Sequence, residues 1–210
     1  MRNILIIAKR ELGAYFGTPV AYVFAVIFVA LTGAFAFFVG GFFKAGLATM
    51  ESYFTFYPWL FLFLIPAAGM RLWSEEKRVG TVELLFTLPI TTLEAVLGKF
   101  LAGWAFLTLA ILLSFPMALT VAFLGRPDWG VMAATYFGAI LMAGAYLGVC
   151  SLTSALTKNQ VISFVLSLAA CAVLVFLGLS SFTSTLESVL PVGVADAVSN
   201  FSFVTHFDAF

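Results

Sequence analysis

The sequence predicts an all-α fold, a polytopic transmembrane helix bundle preceded by an amphipathic interfacial helix, and three observations carry that reading. Hydrophobic residues make up 63% of the chain and the mean hydropathy is +1.12, far above the roughly 45–50% apolar content of soluble domains. Five stretches contain no Asp, Glu, Lys, Arg or His: Val20–Phe43, Phe54–Met70, Leu101–Gly125, Gly130–Thr157 and Gln160–Leu186. Each reaches the minimum of about 17 residues needed to cross the hydrocarbon core as a helix. The runs are apolar all round, whereas a membrane strand would alternate apolar and polar residues over about 10 positions.

Residues 1–17 read as the interfacial helix. Arg2 precedes an apolar run that Lys9, Arg10 and Glu11 soon break, which is too short for a signal-peptide core. As a helix, Asn3–Phe16 places Leu5, Ala8, Leu12, Tyr15 and Phe16 on one side and Arg2, Lys9, Arg10 and Gly13 largely on the other. A basic amphipathic helix of this kind lies among lipid headgroups. Thr18 and Pro19 then read as the N-cap and first helical residue of the first span.

Residues 18–210 form the membrane domain, with spans at about 20–43, 54–73, 100–124, 131–156 and 161–182. Pro58, Pro66 and Pro116 are expected to kink or open their helices. Gly144-x-x-x-Gly148 is expected to allow close helix approach. Trp59, Trp73, Trp104 and Trp129 lie near predicted span ends, where interfacial anchors belong. Cys150 and Cys171 fall inside spans and read as small packing residues.

Orientation follows from the cations. With the N-terminus inside, eight of the ten Lys and Arg residues fall on cytoplasmic segments, and Lys44 and Arg126 fall outside. That asymmetry is the positive-inside signature, and it puts the N-terminus and a loop at 71–99 on the cytoplasmic side; the expected location is the cell inner (plasma) membrane. The aromatic-rich tail from 183 to 210 falls outside. It reads either as an external cap or as the lead-in to a sixth span missing from this sequence, and the second is the expectation.

The chain carries no phosphate loop, no H-E-x-x-H and no C-x-x-C, and its one histidine is His206. No ionisable residue sits deep in a predicted span, as a proton-coupled transporter would require. The chain is therefore read as non-catalytic, binding membrane lipid but no cofactor and no nucleic acid. Any energy for work must enter through a partner.

Arg71–Phe100 holds eight of the twenty charged residues. Span two runs out through Glu75, Glu76, Lys77 and Arg78 and breaks at Gly80. A short helix follows over Thr81, Val82, Glu83, Leu84, Leu85, Phe86, Thr87 and Leu88, ending at Pro89. The next helix opens with Thr91 and Glu94 at capping-box spacing. Leu84, Leu85 and Leu88 share one face of the short helix, flanked by Val82 and Phe86, while Thr81, Glu83 and Thr87 stay polar. Such a helix either inserts into a groove of another protein or lies on the membrane surface. The charged quartet is either a set of exchanging ion pairs or a solvated face.

The pattern EEKRVGTVELLFTLPITTLEAVLGKF, behind an amphipathic N-terminal helix and a Pro-bearing second span, resembles the permease subunits of type-2 (type V) ABC transporters, closest to the gliding-motility permease group. The residues carrying the resemblance are Glu75 and Glu76, Gly80-Thr81-Val82-Glu83-Leu84-Leu85, Pro89 and Gly98-Lys99. The resemblance implies six spans per subunit, a connecting helix at residues 1–17 and a coupling helix over Gly80–Pro89. It also implies a separate ABC ATPase subunit carrying ATP and Mg, and a second permease subunit, in an exporter. The five visible spans depart from that pattern. A membrane scaffold that recruits a cytoplasmic partner without transport is the alternative.

Overall fold

The computed structural model describes residues 2–40, 50–87, 89–125, 127–177, 202–203 and 207. Its regular structure is helical, with no strand among the described residues. The helices are α1 (Arg2–Phe16), α2 (Pro19–Ala34), α3 (Glu51–Phe54), α4 (Tyr57–Gly69), α5 (Arg71–Val79), α6 (Thr81–Thr87), α7 (Thr92–Leu112), α8 (Phe115–Leu124), α9 (Trp129–Leu156) and α10 (Gln160–Phe176). A π-helical turn over Phe35–Val39 extends α2.

Pro19–Val39, Thr92–Leu124 and Trp129–Leu156 are long and apolar enough to cross a membrane, which marks the chain as a membrane protein. The second and fifth expected spans contain shorter apolar helices, α4 of 13 residues and α10 of 17. The fifth expected span continues past Leu177 into residues that are not described.

The prolines explain part of this segmentation. Pro58 and Pro116 each sit in the first turn of their helices, where a missing N–H costs nothing. Pro58 starts α4, and Pro116 starts α8 where the third span, Thr92–Leu124, opens locally at Leu113–Ser114, as expected. Pro66 alone of the three lies inside a helix. Thr18 does stand at the N-cap of α2, but its hydroxyl donates back to the Tyr15 carbonyl at 3.0 Å instead of capping.

The core is built around α9, which packs against α4, α5, α7 and α10. Its buried side chains Tyr136, Ala139, Ala143, Tyr146, Cys150 and Ser154 recur at helical spacing and form one inward stripe. Most of the buried hydroxyls described pair within the protein, as a low-dielectric interior favours, although Ser163 Oγ has no partner. Ser114 contacts the hydroxyls of Tyr57 (3.2 Å) and Tyr136 (3.0 Å), Tyr53 donates to Thr32 (2.9 Å), and Tyr146 donates to the Pro58 carbonyl (3.0 Å). Phe203 packs on Tyr146 with ring centroids 4.3 Å apart, and Phe207 is buried in the same core. The rest of the predicted tail, apart from Ser202, lies outside the described residues.

Helix α1 lies along α7. Its inward face is rotated from the amphipathic reading: Ile7 is buried, Leu12 and Tyr15 pack on the core, and Leu5 is 67% exposed. The cause is the close approach at Gly98, where a Cβ would stand 2.7 Å from Ile7 Cγ2 and 2.8 Å from Ile7 Cβ. Gly144 plays the same part against Trp104, whose indole N–H donates to the Ile140 carbonyl at 2.8 Å, whereas Gly148 faces open space. Trp104 and the buried Trp73 are thus packing residues, while Trp59 and Trp129 remain exposed as interfacial anchors would be. Cys150 and Cys171 are both buried and unbridged.

Gly98→Ala is expected to lower stability by about 1–3 kcal/mol, because the Ile7 Cβ cannot swing away as a flexible chain end would. Gly148→Ala should change it by no more than about 0.5 kcal/mol. Thermal unfolding in detergent checks this pair, and equal effects at the two glycines would contradict the packing assignment.

Candidate functional site

The charged end of the bundle is assembled around the start of α5. Between α4 and α5 the backbone pauses at Met70, and the N–H groups of Trp73 and Ser74 donate to Ser154 Oγ at 3.0 and 3.1 Å. Ser154 in turn donates its proton to the Met70 carbonyl at 2.9 Å. One hydroxyl from α9 therefore uses its donor and both its lone pairs to restart a helix on another element. The Trp73 indole N–H donates to Ser151, 3.2 Å away on the same face of α9. Gly69 makes the approach possible, since a Cβ there would fall 2.6 Å from Cys150 Cβ.

Helix α5 ends at Gly80, whose φ of +81° is the left-handed conformation that glycine adopts freely. Its N–H donates to the Glu76 carbonyl at 2.9 Å. The chain then turns into α6, passes the exposed Pro89 and enters α7 through the expected capping box. The Glu94 N–H donates to Thr91 Oγ1 at 3.3 Å, and the Thr91 N–H donates to Glu94 Oε2 at 3.0 Å. Asn3 Nδ2 also donates to Glu94 at 3.2 Å, tying the beginning of α1 to the same cap.

The quartet of charges is divided by this geometry. Glu76 accepts from Lys99 Nζ at 2.8 Å, and Lys77 donates to the Ala155 carbonyl in the last turn of α9, where a cation is favoured. Glu75 lies 3.9 Å from Arg71 and 3.8 Å from Arg78, and the side chains in these pairs are partly exposed. Glu76 and Lys77 thus point into the bundle and Glu75 and Arg78 form its charged surface.

Lys99 is the centre that sequence reasoning missed. Its side chain is only 3% exposed, paired with Glu76 on α5 and, at 3.5 Å, with Glu11 on α1. Its ammonium also stands 5.3 Å over the Trp73 ring. One cation therefore joins α1, α5 and α7. Its place in the Gly98-Lys99 pair was legible, but the burial was not, because Glu11 and Glu76 are remote in sequence. Nearby, burial and then the Glu11 carboxylate hold the Tyr15 hydroxyl well above its usual range, so it stays protonated.

Of the predicted coupling segment, Thr81 and Val82 are half-buried, and Glu83 and Thr87 are exposed. The side chains of Leu84, Leu85 and Phe86, and residue Leu88, lie outside the described parts, although the backbone of α6 is helical through Thr87. No family model matches the chain, and no curated protein matches it.

Lys99→Ala strands the Glu76 carboxylate and leaves Glu11 only the exposed Arg10, and is expected to cost about 3 kcal/mol. Glu75→Gln, at an exposed pair, should cost no more than about 0.5 kcal/mol. Comparing their thermal unfolding in detergent checks the division of the quartet, and a Glu75 effect as large as that of Lys99 would refute it.

Proposed function

We propose that the chain is the permease subunit of an ATP-driven ABC exporter, similar to the type-2 (type V) permeases. The observation that carries the reading is the mounting of α6. A short helix with polar residues exposed on one side sits between a glycine hinge and a capped helix, and both flanking helices are locked to the bundle through Glu76 and Lys99. A push on α6 would pass into α5 and α7, and through Lys99 into α1, instead of dissipating in a loose loop.

On this reading the segment 81–88 docks by Leu84, Leu85 and Leu88 into a groove of a separate ATPase, which holds ATP and Mg. Two permease subunits with two ATPases form the complex, in the inner (plasma) membrane with the N-terminus cytoplasmic. Closure of the ATPase pair moves α5 and α7 and alternates access to a cavity at the permease interface. This chain supplies no catalytic group. Apolar and hydroxyl-lined spans favour lipids, hydrophobic peptides or drug-like molecules over multiply charged solutes. The second reading, a scaffold that recruits a partner without transport, uses the same docking helix and differs in lacking substrate-stimulated ATP turnover.

The double change Leu84→Asp and Leu85→Asp is expected to cut ATPase co-purification by at least about tenfold, since a buried unpaired carboxylate is intolerable in an apolar groove. Insertion of the chain should persist. Retention of the ATPase and of its stimulated turnover would end the docking assignment.

Orientation has its own test, using single cysteines in a background lacking Cys150 and Cys171. Val79 and Asp128 are both exposed, and cysteines there should react with an impermeant reagent from opposite sides of the membrane. Labelling of both from one side would overturn the topology.

A further inference from the structure

Beside the Lys99 network lies a cavity of about 450 Å³ enclosed by α1, α2, α4, α5 and α7. Its two ends differ in chemistry. Val23, Phe24 and Ile27 of α2 face Leu64 and Ala68 of α4 at the apolar end, and Glu11, Arg71, Glu75, Glu76 and Lys99 line the other. Leu64 stands seven residues before Arg71, roughly 10 Å along the helix axis at about 1.5 Å per residue. The α2 wall is open on its outer side, where Val20, Val23 and Ile27 are 49%, 53% and 42% exposed. An occupant can therefore enter sideways from the bilayer.

The polar end is incompletely paired. Lys99 is paired with Glu76 and Glu11. Arg71 Nε and Glu76 Oε2, however, are buried with no hydrogen-bond partner, and the Arg71–Glu75 separation of 3.9 Å is too long for a hydrogen bond. Buried polar groups are rarely left unpaired in folded proteins. Both residues line the same cavity; neither orphaned atom has surface open to it, so a headgroup meets them as the Arg71 and Glu76 side chains turn toward it.

The charge balance narrows the ligand. Three carboxylates and two cations line the polar end, while Arg10 and Arg78 pair with Glu11 and Glu75 from the exposed periphery. A headgroup with only negative charge answers Arg71 but leaves Glu76 Oε2 without a partner and meets Glu75 unfavourably. A headgroup carrying a phosphodiester and a primary ammonium answers both, the phosphate on the guanidinium and the ammonium on the carboxylate. A quaternary ammonium has no N–H to donate to Glu76.

We propose that this cavity is a binding site for an aminophospholipid, which enters from the bilayer, sets its phosphodiester on Arg71 and its ammonium on Glu76, and lays the upper part of one acyl chain between α2 and α4. The site lies within a single chain and does not depend on the permease reading or on any ATPase.

Native mass spectrometry of the full chain, exchanged in mild detergent against equimolar phosphatidylethanolamine, phosphatidylcholine and phosphatidylglycerol, tests it. One phosphatidylethanolamine is expected to be retained at least about tenfold over either competitor, the scale of a charged hydrogen bond. Arg71→Gln should reduce that retention by about tenfold, and Ala68→Leu, which fills the apolar end, should abolish it. Soluble phosphoethanolamine should not displace the lipid. Equal retention of the three lipids, a preference for phosphatidylglycerol, or displacement by soluble phosphoethanolamine overturns the proposal. The headgroup comparison on the unmodified chain needs no variant, so a misfolded mutant cannot shield the idea. Unchanged retention in both variants would refute it equally.

Discussion

A single desolvated cation organises the charged end of this molecule. Lys99 is almost fully buried, and an ammonium so placed is tolerable only where carboxylates meet it at close range. Glu76 and Glu11 do so from two different helices. Their helices must therefore converge on α7, and the convergence sets the positions of α1 and α5 relative to the bundle. A buried pair of this kind adds little net stability compared with apolar packing, yet it strongly penalises arrangements in which the charges separate.

The apolar side of the same junction rests on absence of side chains. Gly98 lets α1 close on α7, Gly69 lets α4 close on α9, and Gly144 receives Trp104. Lipid supplies no hydrophobic force between helices, so close van der Waals contact and satisfied polar groups must hold the bundle together. Ser154 shows the second requirement most directly. The pause at Met70 would otherwise leave the Trp73 and Ser74 N–H groups unpaired in a buried place, and a hydroxyl from a neighbouring helix takes both. The pause and the serine are one device, divided between residues about eighty positions apart.

These two features give the loop between α5 and α7 its mechanical character. Its outer charges, Glu75 and Arg78, are free to change their surroundings, while Glu76 and Lys77 are fastened to α7 and α9. A short helix mounted on such fastened arms would transmit displacement, as the proposed function requires. The rotation of α1 relative to the simple amphipathic reading belongs to the same economy. Turning Ile7 inward also brings Asn3 to Glu94 and Glu11 to Lys99, so packing and charge pairing agree on one face.

The sequence by itself determined the helical class, the membrane setting, the Gly80 break and the Thr91–Glu94 cap, because each depends on composition or on residues within one turn of each other. Pro58 and Pro116 show the limit even of local rules: the apolar runs around them read as single spans, whereas both prolines stand in the first turn of a helix. The inward face of α1, the division of the charged quartet, the burial of Trp73 and the whole Lys99 centre were decided only in three dimensions. A charge shows its sign in the sequence but not its partner, and Lys99 meets Glu76 and Glu11 across separations of 23 and 88 positions. Whether such a residue is solvated or buried is settled by which helices approach, and that approach was set by glycines whose neighbours no local pattern reveals.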